Sequence, residues 1–418
     1  MNLLMISDTY FPRINGVSTS IRTFARALAR MGHSVTIVAP EYGAGPGQDD
    51  GAGEFEIIRL PARTIFFDPE DRLIRASALR EAVRSLALRH WDVIHVHTPF
   101  RAHQLGVRLA RVTGRPTVET YHTHFEEYAA LYLPWLGWAP LRWLTRQWSR
   151  SSCNEVDHLI VPTAQMAKVL DDYRIGTPYS VIPTGIDLDE FSGGSGERFR
   201  RAHGISLERP VMVTVSRLAR EKNIGFLIDV LERLLPEFPD LLLVIAGEGP
   251  DAARLRTRVV GCGLENNVRF FGNLPRSRQL LDCYRAGDLF VFASPTETQG
   301  LVLIEAMALG LPIVSTAVLG TAAVLEHARG ARRSAEDADV FAGHVADLLR
   351  SPESMAGMAT SSWLDARAWD ATRWMEKVAD LYRSLAGLDR ISPRETPGPS
   401  ANPRPPAGTS ALPGQAPR

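Results

Sequence analysis

Short apolar runs alternate with longer amphipathic stretches along most of this chain, and the series starts twice. That alternation leaves few folds open. Runs at 3–7, 35–39, 57–60, 93–97, 117–121 and 158–162 have the length and composition of strands, and helical spacing fills 17–31, 71–90 and 102–113. A second series begins at 211–216, continues with a helix over 224–235, and adds strands at 241–246, 268–271, 289–293 and 312–315. Repeated strand–helix–strand order predicts parallel sheets with helices on both faces. The expected fold class is α/β, with two doubly wound domains facing across a cleft, since ligands of open α/β sheets bind beyond the carboxyl ends of the strands. A length of 418 residues also exceeds what one core accommodates. The turn-rich patch Phe191-Ser-Gly-Gly-Ser-Gly places the junction within 183–204. The expected domains are 1–190 and 191–370. Residues 363–385, rich in Trp and Leu, read as one or two helices. The segment 391–418 holds eight prolines and no apolar period, so 388–418 is expected to be a disordered tail dispensable for chemistry.

Composition excludes several classes. Lys+Arg and Asp+Glu both number 47, which gives no electrostatic argument for nucleic acid. The three cysteines, Cys153, Cys262 and Cys283, lie far apart and form neither a metal spacing nor a disulfide framework, as suits a reducing cytosol. Met1–Asp8 reads as a first strand rather than a signal peptide. No run approaches the roughly 20 apolar residues that span a bilayer. The expected location is therefore cytoplasmic, with any membrane association peripheral.

The segment Glu297-Thr-Gln-Gly-Leu-Val-Leu-Ile-Glu305 carries the sharpest chemistry. It follows the strand at 289–293, so Glu297 falls on a loop and a helix opens near Gly300, with Glu305 in its second turn. A helix start offers backbone N–H groups, here around Gly300 and Leu301, and a positive dipole end, both suited to a phosphate. Carboxylates flanking such a site accept hydrogen bonds from sugar hydroxyls. A ligand carrying hydroxyls, then phosphates, then more hydroxyls is a nucleotide-sugar. Arg217 and Lys222, five apart after the strand at 211–216, supply a guanidinium fork and a point charge for a diphosphate. A basic helix start is electrostatically unfavourable without an anion to offset it. Arg220 between them is expected to be solvated. Gly247 and Gly249 end another strand, where glycine permits a tight turn and close approach to a ligand, although such turns often need glycine anyway. Asp187-Leu-Asp189 and Asp337-Ala-Asp339 match the loose D-x-D pattern of metal-dependent transferases, but neither follows an apolar strand, and both read as chance. No metal site is expected, and no cofactor.

Glu297 and Glu305, within Ser294-Pro-Thr-Glu-x-x-Gly-Leu and Glu-Ala-Met-Ala-x-Gly-x-Pro-Ile-Val, resemble the E-x7-E signature of retaining glycosyltransferases of family 4, which have two Rossmann-like domains in the GT-B arrangement. The resemblance covers about residues 1–385. It implies that Glu297 holds the hydroxyls of the transferred hexose and Glu305 the ribose. It implies that Arg217 and Lys222, an R-x4-K pair, grip the diphosphate between the domains, and that Gly247 and Gly249 lie beside the base. The loop before the first helix has the lone Gly16, whose counterpart approaches the donor phosphates. Of Thr120-Tyr-His-Thr-His124, His122 matches the residue at the reaction centre, while His95, His97 and His124 are expected to pack locally. The last helix, 371–387, is implied to cross back onto the N-terminal domain. The implied reaction transfers a hexose with retention from a nucleoside-diphosphate donor, without a metal.

The region 131–150 has four Trp, three Arg and no acidic residue. A basic, Trp-bearing helix suits an anionic membrane surface, and equally suits packing on the domain. The stretch Tyr121–Tyr128 and the opening Ser7–Val17 resemble bacterial diacylglycerol α-glucosyltransferases. The expected partners are thus a nucleotide-sugar, with UDP-glucose preferred, and a lipid acceptor such as diacylglycerol. A GDP-mannose-dependent α-mannosyltransferase acting on a lipid or polysaccharide precursor is the alternative. A dinucleotide-dependent dehydrogenase would need G-x-G-x-x-G after the first strand, which is not there. A non-catalytic sugar- or sugar-nucleotide-binding protein is the remaining class, since two α/β lobes with a cleft also describe solute receptors; the absence of a secretion signal and the presence of Arg217 with Lys222 argue against such a receptor.

Overall fold

Residues of the first strand, β1 (Asn2–Ile6), go alternately to opposite faces. Leu3 and Met5 pack with Ile21 and Phe24 of the helix Gly16–Arg30, whereas Leu4 and Ile6 pack with Leu79 of the helix Ala76–Leu86 and Leu105 of the helix Arg101–Thr113. A strand apolar on both faces is a strand covered on both faces. The computed structural model describes residues 1–43, 53–65, 68–122, 138–276 and 278–388. In its N-terminal half follow β2 (Ser34–Pro40), β3 (Glu56–Leu60), β4 (Ala62–Ile65), β5 (Asp68–Ile74), β6 (Val93–Val96), β7 (Thr117–Thr120), β8 (His158–Val161) and β9 (Tyr179–Val181). Seven of these form one parallel sheet in the order β3-β2-β1-β6-β7-β8-β9.

The second half repeats the design with β10 (Val211–Val215), β11 (Leu242–Ala246), β12 (Val268–Phe270), β13 (Leu289–Phe292), β14 (Ile313–Thr316) and β15 (Ala331–Ser334), ordered β12-β11-β10-β13-β14-β15 and all parallel. Val211, Val213, Phe290 and Phe292 face one core with the helix Leu301–Ala308, and Met212, Leu289 and Val291 face the other with the helix Ile224–Leu234. The strand order reverses between β1 and β6 in the first sheet and between β10 and β13 in the second. Chains leaving neighbouring strands there diverge to opposite faces and open a crevice.

The segment 71–90, expected as one helix, is corrected. Asp68–Ile74 is a strand paired antiparallel with Ala62–Ile65, and the helix begins only at Ala76. Arg75 before it is extended and makes no side-chain cap, so the helix start lacked its usual sequence signal. The region 363–385 contains two helices, Pro352–Ala366 and Ala371–Leu385, separated by the turn Arg367–Trp369. Asp370 caps the second by accepting from the Thr372 N–H at 2.7 Å. This helix crosses to the N-terminal lobe, where Met375, Val378, Ala379 and Tyr382 join the core of Leu3, Met5 and Phe24. The two inter-lobe crossings run side by side: Ile186 N–H donates to Trp369 O and Ala371 N–H to Ile186 O, both at 2.9 Å. A Cβ on Gly185 would lie 2.4 Å from Ala371 Cα, so only glycine permits this approach. Residues 389–418 lie outside the described residues, as do 123–137, which hold His124 and the first part of the Trp-rich region.

Candidate active site

Two loops leave the switch point of the C-terminal sheet. After β10 the chain passes Arg217, makes the tight turn Arg220–Lys222, and enters the helix Ile224–Leu234 through Asn223 in the left-handed region. Arg220 is exposed, and Arg217 and Lys222 are half-buried. After β13 it passes Glu297 and enters the helix Leu301–Ala308 at Gly300, whose φ of 87° favours glycine. Ser294 Oγ donates to Glu221 O at 3.0 Å and ties the loops together. Across them Lys222 Nζ meets Glu297 Oε1 at 2.5 Å, with 14% and 18% side-chain exposure. Two residues that the sequence assigned to one ligand therefore touch each other.

Gly247 and Gly249 follow β11 and press against the first of these loops. A Cβ on Gly247 would sit 1.9 Å from Ser216 O, and one on Gly249 would sit 2.4 Å from Leu218 O. Loop-to-loop packing is thus sufficient to require both glycines. Gly16 differs: it is exposed, opens the helix Gly16–Arg30 behind the cap Asn15, and a Cβ there would meet nothing within 4 Å.

Glu305 lies deeper, 1% exposed. One carboxylate oxygen pairs with Arg276 and the other accepts from the Tyr284 hydroxyl at 2.8 Å. The Arg276 guanidinium also lies over the Phe191 ring, 5.8 Å from its centroid. Arg276 and Tyr284 were missed in the sequence because the loop after β12 and the helix Gln279–Ala286 carry no local pattern that links them to Glu305.

The N-terminal lobe faces this site with the ends of β1, β6 and β7. Asp8 accepts from Thr98 Oγ1 at 2.8 Å and from the N–H groups of Arg101 and Ala102, capping the helix Arg101–Thr113. Burial pushes its carboxyl up to about 6 in spite of these donors. His122 follows β7, and burial lowers its imidazole to about 3, so the ring is neutral near pH 7. His122 Nε2 lies 3.1 Å from His97 Nδ1. Burial holds His95 and His97 well below the ordinary histidine value, and both pack locally, as expected.

The lobes meet through the loop that bears Glu297. Thr298 Oγ1 donates to His122 O at 2.9 Å, and Thr163 Oγ1 donates to Thr298 O at 3.2 Å. Gln299, 4% exposed, donates to Thr184 O at 2.6 Å and accepts from Thr184 N–H at 2.9 Å. The structure therefore gathers His122, Glu297 and Lys222 at one seam, with Arg217, Gly247, Gly249, Gly300 and Leu301 on the loops behind it. Gly16 stands on the N-terminal side, and Glu305 is engaged by its own partners.

Both D-x-D matches have local explanations. Asp187 caps the turn Leu188–Phe191 and pairs with Arg30, and Asp337 caps the helix Ala338–Arg350. Among the described residues no group of three or more His, Cys, Asp or Glu could hold a metal ion.

Comparison with known proteins identifies the family and the fold. A family model described as Glycosyltransferase Family 4 matches residues 14–190, and one described as Glycosyl transferases group 1 matches 195–362. The chain is 31% identical over 323 residues to the alpha-monoglucosyldiacylglycerol synthase of Streptococcus pneumoniae, covering 75% of this chain and 71% of that protein. It is 27% identical over 318 residues to a GDP-mannose-dependent alpha-mannosyltransferase of Mycolicibacterium smegmatis, covering 75% and 79%. Among solved structures, HepE of Anabaena in complex with UDP and glucose shares the fold with a TM-score of 0.73 at 18% identity, covering 92% of this chain and 100% of that one. Sucrose-phosphate synthase from Thermosynechococcus elongatus does so with a TM-score of 0.77 at 20% identity, covering 93% and 100%. With two Rossmann-like parallel sheets and these likenesses, this chain belongs to the family 4 glycosyltransferases and is a retaining hexosyltransferase that uses a nucleoside-diphosphate sugar.

Proposed function

We propose that the donor is UDP-glucose and that the acceptor is a lipid, diacylglycerol, met at the cytoplasmic face of an anionic membrane. The observation that carries the donor site is the pairing of Lys222 with Glu297 at the switch point of the C-terminal sheet, beside the amino end of the helix Leu301–Ala308. Arg217 and Lys222 neutralise the diphosphate together with the N–H groups near Gly300 and Leu301. A phosphate that takes Lys222 releases Glu297 to the hydroxyls of the hexose. Glu305 reads the ribose, Gly247 and Gly249 border the base, Gly16 lets the N-terminal lobe approach the phosphates, and His122 meets the transferred sugar.

The chemistry is a same-face exchange. The bond from the anomeric carbon to the phosphate oxygen breaks, the acceptor oxygen bonds to that carbon from the same side, and its proton passes to the departing phosphate. Glu297→Gln is expected to lower kcat by about 100-fold without a trapped intermediate, because it weakens hydroxyl contacts and removes no nucleophile. Intact-mass analysis checks this, and a covalent sugar adduct on any side chain overturns it.

The acceptor reading rests on the helix Trp138–Cys153 and on the likeness to the pneumococcal alpha-monoglucosyldiacylglycerol synthase. Trp143 is 61% exposed, and Leu144 and Trp148 are exposed with it. Trp148 stacks on exposed Phe100, with centroids 5.7 Å apart, at the carboxyl end of the first sheet. Arg150 is exposed nearby, whereas Arg146 lies over the Tyr173 ring. Aromatic residues with basic neighbours suit the interface of an anionic bilayer. Among the described residues no helix is long and apolar enough to cross a membrane.

The deciding assay offers UDP-glucose, UDP-galactose and GDP-mannose with diacylglycerol in anionic or neutral vesicles. Glucosyl transfer fastest on anionic vesicles, reduced by salt and by Trp143→Ala with Arg150→Ala, is the expected result. Transfer from GDP-mannose alone would replace the donor, and vesicle-independent transfer would remove the membrane. The likeness to the mycobacterial enzyme keeps mannosyl transfer as the second reading.

A further inference from the structure

His122 is held from two sides. Its carbonyl oxygen accepts from Thr298 of the C-terminal lobe at 2.9 Å, and its ring is held by His97 through Nε2. The two rings are stacked, with centroids 5.4 Å apart. His97 is in turn pressed against His95, with centroids 3.9 Å apart, and meets the Phe24 ring edge-on at 5.6 Å. His95 has both ring nitrogens engaged: Nε2 with Thr120 Oγ1 at 2.7 Å and Nδ1 with the Tyr382 hydroxyl at 2.5 Å. Tyr382 lies on the helix that crosses back after the C-terminal lobe, 287 residues from His95 in sequence.

We propose that His97 is a positioning residue for sugar transfer: it clamps the ring of His122 by Nε2, turns Nδ1 toward the donor, and is itself braced by His95 and Tyr382. His97 and Tyr382 touch no substrate in this arrangement. A free imidazole in the cleft would sample several rotamers, and each wrong rotamer withholds the contact that the transferred sugar needs. Fixing a ring by a hydrogen bond to its far nitrogen is the general means of orienting a functional imidazole. The brace gives the last helix a role beyond covering the N-terminal core, because its tyrosine closes the series of contacts behind the reaction centre. The inference rests on the reading that His122 meets the transferred sugar.

The test uses the full chain and whichever UDP- or GDP-hexose the wild-type enzyme turns over fastest. His97→Leu keeps a buried apolar body but no hydrogen bond, while His97→Asn keeps a polar group that reaches the position of Nδ1. Expected is a fall in kcat of about 10- to 100-fold for His97→Leu, with donor KM within about threefold of wild type, and recovery of most of the loss in His97→Asn. In a His122→Ala background, His97→Leu should then cost nothing further, since it acts through His122. A merely structural role predicts the same factor in both backgrounds and no rescue by Asn, and either result overturns the proposal. Should His97→Leu fail to fold, Tyr382→Phe carries the test: a fall in kcat of about threefold that vanishes in the His122→Ala background supports the brace, and an additive fall refutes it. Unchanged turnover in His122→Ala alone would remove the assigned role of His122 itself, and is distinguishable from a failure of the clamp.

Discussion

His95 and His97 sit at 1% exposure each, and burial holds both rings neutral well below the ordinary histidine range. An unfolded chain binds a proton on each as pH falls through about 6.5, and the folded chain does not. The unfolded state then holds more protons, so folding stability is present above that pH and is lost as pH falls, by up to about 1.4 kcal/mol per unit for each ring. Urea unfolding between pH 7 and pH 5 should show this slope, and His95→Phe should flatten it by about one proton. An unchanged slope would mean that the ring is protonated in the native state. At this scale the sequence was legible where residues of the proposed site lie close in the chain. Glu297 and Gly300 share one loop, and Arg217 and Lys222 share another. Arg276 and Tyr284 were illegible because they reach Glu305 from 29 and 21 residues away, Arg276 across the helix Gln279–Ala286 and β13, and Tyr284 across β13. The reach of Lys222 to Glu297, 75 residues apart, was equally hidden, although each residue was named separately as a candidate.

Among the elements, the helix Ala371–Leu385 joins one end of the chain to the other. Met375 and Tyr382 are fully buried in the N-terminal core, and Asp370 fixes the helix start. Met375→Ala removes side-chain volume where neighbours from β1 and the helix Gly16–Arg30 cannot fully close in. The expected cost is about 3 kcal/mol. It should appear as a lowered urea midpoint reported from the N-terminal lobe, with the donor binding proposed for the C-terminal lobe retained. A midpoint within error of wild type would show that this helix only lies on the lobe. Strands with continuous apolar runs were readable, as burial on both faces demands, but the edge strands β9 and β15 were not, because Tyr179–Val181 and Ala331–Ser334 carry no such run. The hairpin of β4 and β5 was not, because Arg72-Leu-Ile74 continues smoothly into the helical spacing that follows, and the residue between, Arg75, is no capping residue.

At the scale of the whole molecule, polar contacts cross the seam between the lobes. Gln299 shows how such a contact works. Its amide meets both backbone groups of Thr184 and is nearly inaccessible to water, so the two lobes satisfy each other's buried polar atoms. Gln299→Leu keeps the bulk but strands an N–H and a C=O of Thr184, at about 1–3 kcal/mol for each group left unsatisfied. Water entering an opened seam can recover much of that cost, so the lobes are expected to part. Thr298 would then lose its hold on the His122 carbonyl, and the proposed reaction centre would come apart while the proposed donor site on the C-terminal lobe stayed whole. The expected signature is a donor Kd within about twofold of wild type, a kcat lowered by about 10-fold or more, and a larger radius of gyration in solution scattering. Donor affinity falling in parallel with kcat would show instead that both lobes grip the donor from the outset. No sequence pattern announced this contact, because Gln299 occupies an unspecified position between the two carboxylates and its partner is 115 residues away. Residues that read a ligand recur in local patterns, whereas the residue that joins the lobes need only match the one surface it closes on.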